Sequence, residues 1–175
     1  MLTVHVIIVI TTGSVHSPER QLIGLCNDLF GAGTETTSTT LTWAIIYMSL
    51  NPDVQKRIHA EIDDVIGPEV KPSMHHRLQL PFTEACILET QRLGDLVPLG
   101  VPHAVTEDVY FRDYFIPKGT MIMPNMYGVH MNPDLWPEPE KFKPERFLDS
   151  GGKIDKKELI PFSLGKYLLS FISFG

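Results

Sequence analysis

Nine of the 14 prolines lie beyond residue 95, and this asymmetry constrains the 175-residue chain more than any other feature. Proline offers no backbone N–H and its ring clashes with the preceding helical turn, so long helices are confined to the first half. There, Ser17-Pro18-Glu19 is a helix start: a hydroxyl cap, a proline where the missing N–H costs nothing, and an acid at the positive end of the dipole. Leu22, Leu25, Cys26, Leu29 and Phe30 recur at helical spacing, and from Leu41 to Met48 apolar residues cover nearly every face. Such a helix is expected to be central and buried. Asn51-Pro52-Asp53 ends it and begins a second helix with a Val54, Ile58, Ile62 and Val65 stripe, which Gly67-Pro68 stops. A third helix is expected from Pro81 to about Leu93. Beyond it, β-prone runs at Val101–Thr106, Val109–Phe111, Tyr114–Ile116 and Met121–Met123 are separated by turn residues. The fold class that follows is mainly α with small β hairpins (α+β).

Charge and composition narrow the partners. The formal charge is -6, and Lys and Arg are scattered singly, so no basic stripe suits a phosphate backbone and nucleic acid is excluded. Cys26 and Cys86 stand outside any cysteine-rich framework, which fits a reducing compartment and buried thiols. A hydrophobic fraction of 43% is enough for one core, and one compact unit is the default. The opening MLTVHVIIVI is apolar but shorter than the roughly 20 residues a bilayer span requires. It also lacks the basic residues that precede a secretory signal. Residues 1–16 are therefore read as an atypical N-terminal segment with no anchor, and residues 17–175 as the folded domain.

Four short stretches could carry chemistry. In AGTETT, Ala32 to Thr37, glycines and threonines weaken the helix, so a kink or widened turn is expected. That stretch either bends a helix against a neighbour or sets Glu35 and Thr36 side by side as an acid and an alcohol, with Ala32 and Gly33 leaving room for a diatomic ligand. In ETQR, Glu89 and Arg92 share one helix face, as a solvated surface pair or, given the apolar Ala85 to Leu88 beside them, as a buried ion pair that needs further partners. PERF, Pro144 to Phe147, is either an ordinary proline-aromatic turn or the place from which Arg146 reaches Glu89. PFSLG, Pro161 to Gly165, is a short apolar loop with a glycine suited to close approach by a flat ligand.

In their order and spacing these stretches resemble the cytochrome P-450 superfamily, in its microsomal, animal-type subgroup. NPDVQKRIHAEIDDVIG, VPHAVTEDVYFRDYFIPKGT and PERFLD are similar to it as well. The resemblance runs from about Pro18 to Lys166. It implies a partial fold of that family, beginning at the long central helix and ending before the proximal cysteine. It implies a haem-dependent monooxygenase that hydroxylates a lipophilic small molecule with dioxygen and electrons from an NADPH-cytochrome reductase, on the cytoplasmic face of the endoplasmic reticulum membrane. Residue by residue, Glu35 and Thr36 would be the catalytic acid-alcohol pair beside Ala32 and Gly33. Glu89, Arg92 and Arg146 would be a structural triad. His103 would bond a haem propionate, Phe162 and Gly165 would belong to the haem loop, and Leu99 and Val101 would touch substrate.

The sequence then departs from the family. Tyr167 stands where an arginine is expected, Leu169 where the cysteine thiolate would bind iron, and Phe171 where a glycine closes the loop. Leucine cannot donate to a metal, so no metal ligand is assigned. Cys26 lies nine residues before Glu35, about 13 Å along a helix rising 1.5 Å per residue, on the wrong side of the haem. Cys86 is expected to be packed inside a helix. This polypeptide is therefore expected to be inactive. The alternative is a non-catalytic truncated or splice-variant product whose long helix, without the partners it has in the family, would leave large apolar patches exposed and associate with longer relatives or with membranes.

Overall fold

The computed structural model describes residues 18–156 and 158–163, so the segment 1–16 and the Ser17 cap lie outside the described residues. Helix α1, Pro18–Leu50, runs unbroken through the Ala32–Thr37 stretch, without the widened turn expected there. Its hydroxyls are accommodated within the helix. Ser38 donates to the Glu35 carbonyl at 3.2 Å, Thr40 to that of Thr36 at 2.8 Å and Thr42 to that of Ser38 at 2.8 Å. A carbonyl oxygen has two lone pairs, so each can take a hydroxyl while keeping its helical partner.

The expected burial of α1 does not occur: no residue of the helix is buried. One strip of it, near its C-terminal end, packs on other elements. Trp43 stacks on Tyr47 with ring centroids 5.5 Å apart, and Tyr47 stacks on Phe142 at 4.8 Å. Met48, one turn on from Ala44, packs on the cluster of Val54, Phe82 and Cys86. The other faces keep Leu22, Phe30, Leu41 and Ile45 exposed, because no described element covers them.

Asn51 closes α1, donating its backbone N–H and its side-chain amide to the Tyr47 carbonyl at 3.0 and 2.8 Å. Its own carbonyl starts α2, Pro52–Val65, by accepting from Gln55 at 3.1 Å. Gly67 ends the turn with a φ of 82°, a conformation open to glycine at no steric cost, and donates to Ile62. A 3-10 turn at Met74–Gln79 leads to α3, Pro81–Gly94.

Leu80 cannot cap α3, so α2 supplies the cap. Glu61 accepts from the Phe82 amide at 2.8 Å and from the Thr83 amide and hydroxyl at 2.7 and 2.6 Å. Pro81 has no N–H, and Glu84 bonds the Leu80 carbonyl, so every donor of the first turn has a partner. Eight residues of α3 are buried, four of them polar or charged: Glu84, Glu89, Thr90 and Arg92.

Two antiparallel pairs follow. β1, His103–Ala104, pairs with β4, Met121–Ile122, and β2, Val109–Phe111, pairs with β3, Tyr114–Ile116. These strands fall inside the β-prone runs of the sequence. A short helix α4, Met126–His130, and a 3-10 turn at Pro144–Phe147 complete the elements. The turn lies on the PERF stretch, whereas α4 could not be seen in the sequence, since one turn of helix has no periodicity to read.

The chain divides into two compact units. Among the described residues, one holds 18–34, 97–126 and 162–163, and the other holds Glu35–Leu96 and Tyr127–Pro161. The second unit contains the core around α3. Ala85 and Leu88 pack on Trp136 and Phe147, flanked by Leu148, Ile154 and Leu159. Trp136 donates its indole N–H to the Val129 carbonyl at 3.0 Å, so the largest buried side chain leaves no polar atom unsatisfied.

A carboxylate that caps a neighbouring helix through two amides contributes as much as a good local cap. Replacing Glu61 by Ala should lower stability to urea by about 1–2 kcal/mol, whereas Glu69→Ala, on the exposed turn, should change it by less than about 0.5 kcal/mol. Equal effects of the two substitutions would show that Glu61 does not cap α3.

Candidate functional site

The densest chemistry in the second unit is a charged cluster beneath α3. Glu89 and Arg92 have fully buried side chains, and Arg146 is only 9% exposed. Three residues apart on one helix, Glu89 and Arg92 meet in a two-pronged pair. Arg92 Nε donates to Oε2 at 2.8 Å, and Nη2 donates to Oε1 at 2.9 Å. Arg146, from the PERF turn, adds Nε to Oε1 at 3.0 Å, and the Lys143 amide donates to the same oxygen at 3.0 Å. One buried carboxylate thus has four donors.

The guanidinium groups do more than neutralise it. Arg92 also donates to the carbonyls of His130 and Pro139, both at 2.7 Å, and its last N–H points at the Met131 sulfur at 3.8 Å. All five of its donors are therefore used. Arg146 donates to the carbonyls of Pro137 at 3.1 Å, Glu138 at 3.3 Å and Lys141 at 3.4 Å. Except for that of His130, which ends α4, these carbonyls belong to a coil with no sheet or helix to pair them, and a donor fixed on each holds the coil in one conformation. The two arginines stand in for secondary structure.

Next to the cluster lies a group that the sequence reading missed. His130, at the end of α4, is fully buried. Its Nδ1 is 3.3 Å from Asp95 Oδ1, and its Nε2 accepts the Ile160 amide at 3.1 Å. Asp95 caps α3 in the left-handed conformation, with a φ of 34°. Burial pushes the His130 pKa below its ordinary 6.5, against the pull of Asp95 and with the help of the Arg92 charge. No periodicity marks this histidine in the sequence. The only available signal was a lone imidazole in a proline-rich stretch, where ring nitrogens are natural partners for stray backbone groups.

The remaining sequence-assigned residues lie elsewhere. Ala32, Gly33, Glu35 and Thr36 sit on successive turns of α1 and are all exposed. Leu99 and Val101 are exposed on either side of Gly100, whose φ is 60° and whose Cα faces Pro124 so closely that a Cβ would come within 2.5 Å of it. His103 is half-buried in β1, with Nδ1 buried and no hydrogen-bond partner. Phe162 is exposed. Gly165 and positions 167, 169 and 171 lie outside the described residues. Cys86 is buried in α3, and burial, helped by Glu145 and Glu61, pushes its thiol up to about 12. A thiol held protonated there is neither a nucleophile nor a ready metal ligand.

An apolar groove of about 270 Å³ runs along α1, α2 and α3, lined by Leu41, Ala44, Met48, Ile58, Cys86 and Ile87 among others. It has no charged side chain in its lining. It can hold apolar matter but offers no group for acid-base chemistry.

Two outcomes follow from the cluster. Arg92→Lys should lose the fork and the carbonyl bonds together and cost about 3–5 kcal/mol in urea unfolding, because it leaves a buried carboxylate undersatisfied. Arg146→Ala should cost about 1–3 kcal/mol, since Arg92 still pairs the carboxylate. A near-neutral Arg92→Lys would contradict the geometry. For His130 the folded pKa is lowered, so the unfolded chain takes up the proton first as pH falls. Stability is full above about 6.5 and declines as pH drops from there toward the folded value. Urea midpoints measured across that window should fall with acid, and the decline should vanish in His130→Gln.

Comparison with known proteins places these features. The pattern of the family described as Cytochrome P450 matches residues 14–167. Human Cytochrome P450 2U1 is 50% identical over 149 residues, which is 85% of this chain and 27% of that protein. The rat protein of the same name is 48% identical over the same share of this chain and 28% of its own length. Human Cytochrome P450 2J2 is 47% identical over 155 residues, 89% of this chain and 30% of the relative. The chain thus spans less than a third of the length of these relatives. A match over most of its residues, at about half identity, means that the chain belongs to the Cytochrome P450 family.

Proposed function

We propose that this polypeptide derives from a haem-dependent monooxygenase that hydroxylates a lipophilic small molecule, and that it is itself inactive as an oxygenase. Family membership supports the first part. Within that reading residues 17–175 are a partial domain of the family, Glu35 and Thr36 are the acid and alcohol that would hand on protons, and Ala32 and Gly33 are the space beside them. Haem, dioxygen and a reductase supply the oxidising chemistry in an intact enzyme. Location on the cytoplasmic face of the endoplasmic reticulum belongs to the same proposal. Among the described residues no helix is long and apolar enough to cross a membrane.

The residues fit haem only in part. The buried, unpartnered Nδ1 of His103 is the kind of atom that a propionate would complete, and Phe162 and Gly165 fit the family's haem loop. The axial donor does not fit. Position 169 is leucine, and the thiols are Cys86, buried and held protonated, and Cys26, exposed on α1. Without a thiolate there is nothing to push electron density through iron. Leu169 is the one observation on which the predicted inactivity rests. Glu89, Arg92 and Arg146 would then be structural, holding the coil from Met131 to Leu148.

The exposed apolar faces of α1 favour a second reading, a non-catalytic chain that associates with a longer relative or with a membrane. Leu22, Phe30, Leu41 and Ile45 are each at least 60% exposed, more apolar surface than a soluble monomer usually leaves uncovered.

Two measurements separate these statements. The chain supplied with haem, reduced and exposed to carbon monoxide should lack the absorption band of thiolate-ligated haem; that band would refute the assignment of inactivity. Light scattering without detergent should give aggregates or vesicle-bound protein, and a monodisperse monomer would count against the association.

A further inference from the structure

We propose that His130 is a positioning residue: as the neutral Nδ1–H tautomer it ties the end of α3 to the segment that approaches Pro161, and its protonation releases that segment. The tautomer follows from what each partner can do. The Ile160 backbone N–H can only donate, and it points at Nε2 from 3.1 Å, so Nε2 must present a lone pair. A neutral imidazole has one donor and one acceptor, so the proton sits on Nδ1, 3.3 Å from the Asp95 carboxylate.

The surroundings make this arrangement one-sided. Among the described residues the charged groups acting on the ring are Arg92, from α3, and Asp95, which caps it. From the 158–161 segment it is the Ile160 amide that reaches it. Arg92 donates to the carbonyl of His130 itself at 2.7 Å, which sets a positive charge beside the imidazole. Asp95 favours a charged ring, but it already has the Nδ1 proton, and its Oδ2 is buried with no partner. A second proton would enter at Nε2, where it would face the Ile160 N–H. Two donors then point at each other, and Ile160 has to leave. What moves with it is the chain leading into Pro161-Phe162-Ser163.

This inference rests on the contacts of His130 and not on the haem reading, and its test needs no haem. The ¹⁵N-labelled full chain, in detergent micelles, would be followed by imidazole nitrogen shifts and by amide exchange from about pH 8 to about pH 5, the range in which histidine changes charge. Nε2 should be unprotonated at neutral pH. As the ring titrates, protection of the Ile160 amide should drop by about tenfold, as expected for one lost buried hydrogen bond, while that of Lys143 holds. His130→Gln offers a carbonyl oxygen at every pH and should abolish the acid-dependent drop. Asp95→Asn, a second variant should the first not fold, removes the carboxylate that favours the charged ring and should shift the drop to lower pH. A protonated Nε2 at neutral pH would overturn the proposal. So would an Ile160 amide unaffected by ring titration, an acid drop that persists in His130→Gln, or a shift to higher pH in Asp95→Asn.

Discussion

The carboxylate of Glu89 is the point on which the second unit turns. An ionised group taken wholly out of water is strongly unfavourable unless both its oxygens are paired and hydrogen-bonded. Here one oxygen takes three donors and the other takes one, from two guanidinium groups and one amide. The donors come from two places far apart in sequence, α3 and the Lys143–Arg146 stretch, so the carboxylate is satisfied only when the fold has closed. Its burial makes folding of the coil obligatory.

The same logic explains why the coil can be irregular. From Asn132 to Phe147 the chain is punctuated by prolines that cannot donate, so its carbonyls have few backbone partners. Arg92 and Arg146 reach four of them, at Pro139, Pro137, Glu138 and Lys141, and Arg92 also takes the carbonyl of His130 at the end of α4. Lysine could not replace either residue, because one ammonium cannot span a carboxylate and several carbonyls in fixed directions. Packing completes the closure: Trp136 and Phe147 bring their rings within 5.5 Å over Ala85 and Leu88. His130 extends the network one step, from the end of α3 to Ile160.

Local signals were readable where chemistry is local. Pro52 and Pro81 at helix starts, Gly67 at a helix end and the β-prone runs at Val109–Phe111 and Tyr114–Ile116 mark elements that the structure contains. The exposure of α1 could not be read from periodicity, because an all-round apolar helix signals that partners are needed and not whether they are present; it followed from the resemblance, which sets those partners outside this sequence. Glu61 as the cap of α3 was hidden as well: the pattern rule for caps looks within a few residues, and Glu61 acts across 21. His130 and Asp95 were invisible for a similar reason, since their pairing depends on a left-handed turn at Asp95 that no residue type dictates. The meeting of Arg146 with Glu89 was approached through family resemblance, because no spacing argument carries a contact over 57 residues.

The buried cluster does not depend on what stands at position 169, because its described donors and acceptors lie between Glu89 and Arg146. The most direct test of the central claim is amide exchange at Lys143, whose N–H ends on Glu89. The account predicts protection comparable to the middle of α3, lost together with that of the surrounding coil in Glu89→Gln while the β2–β3 amides are unchanged. A Lys143 amide that exchanges like an open loop in the unaltered chain, or a coil that stays protected in Glu89→Gln, would contradict it.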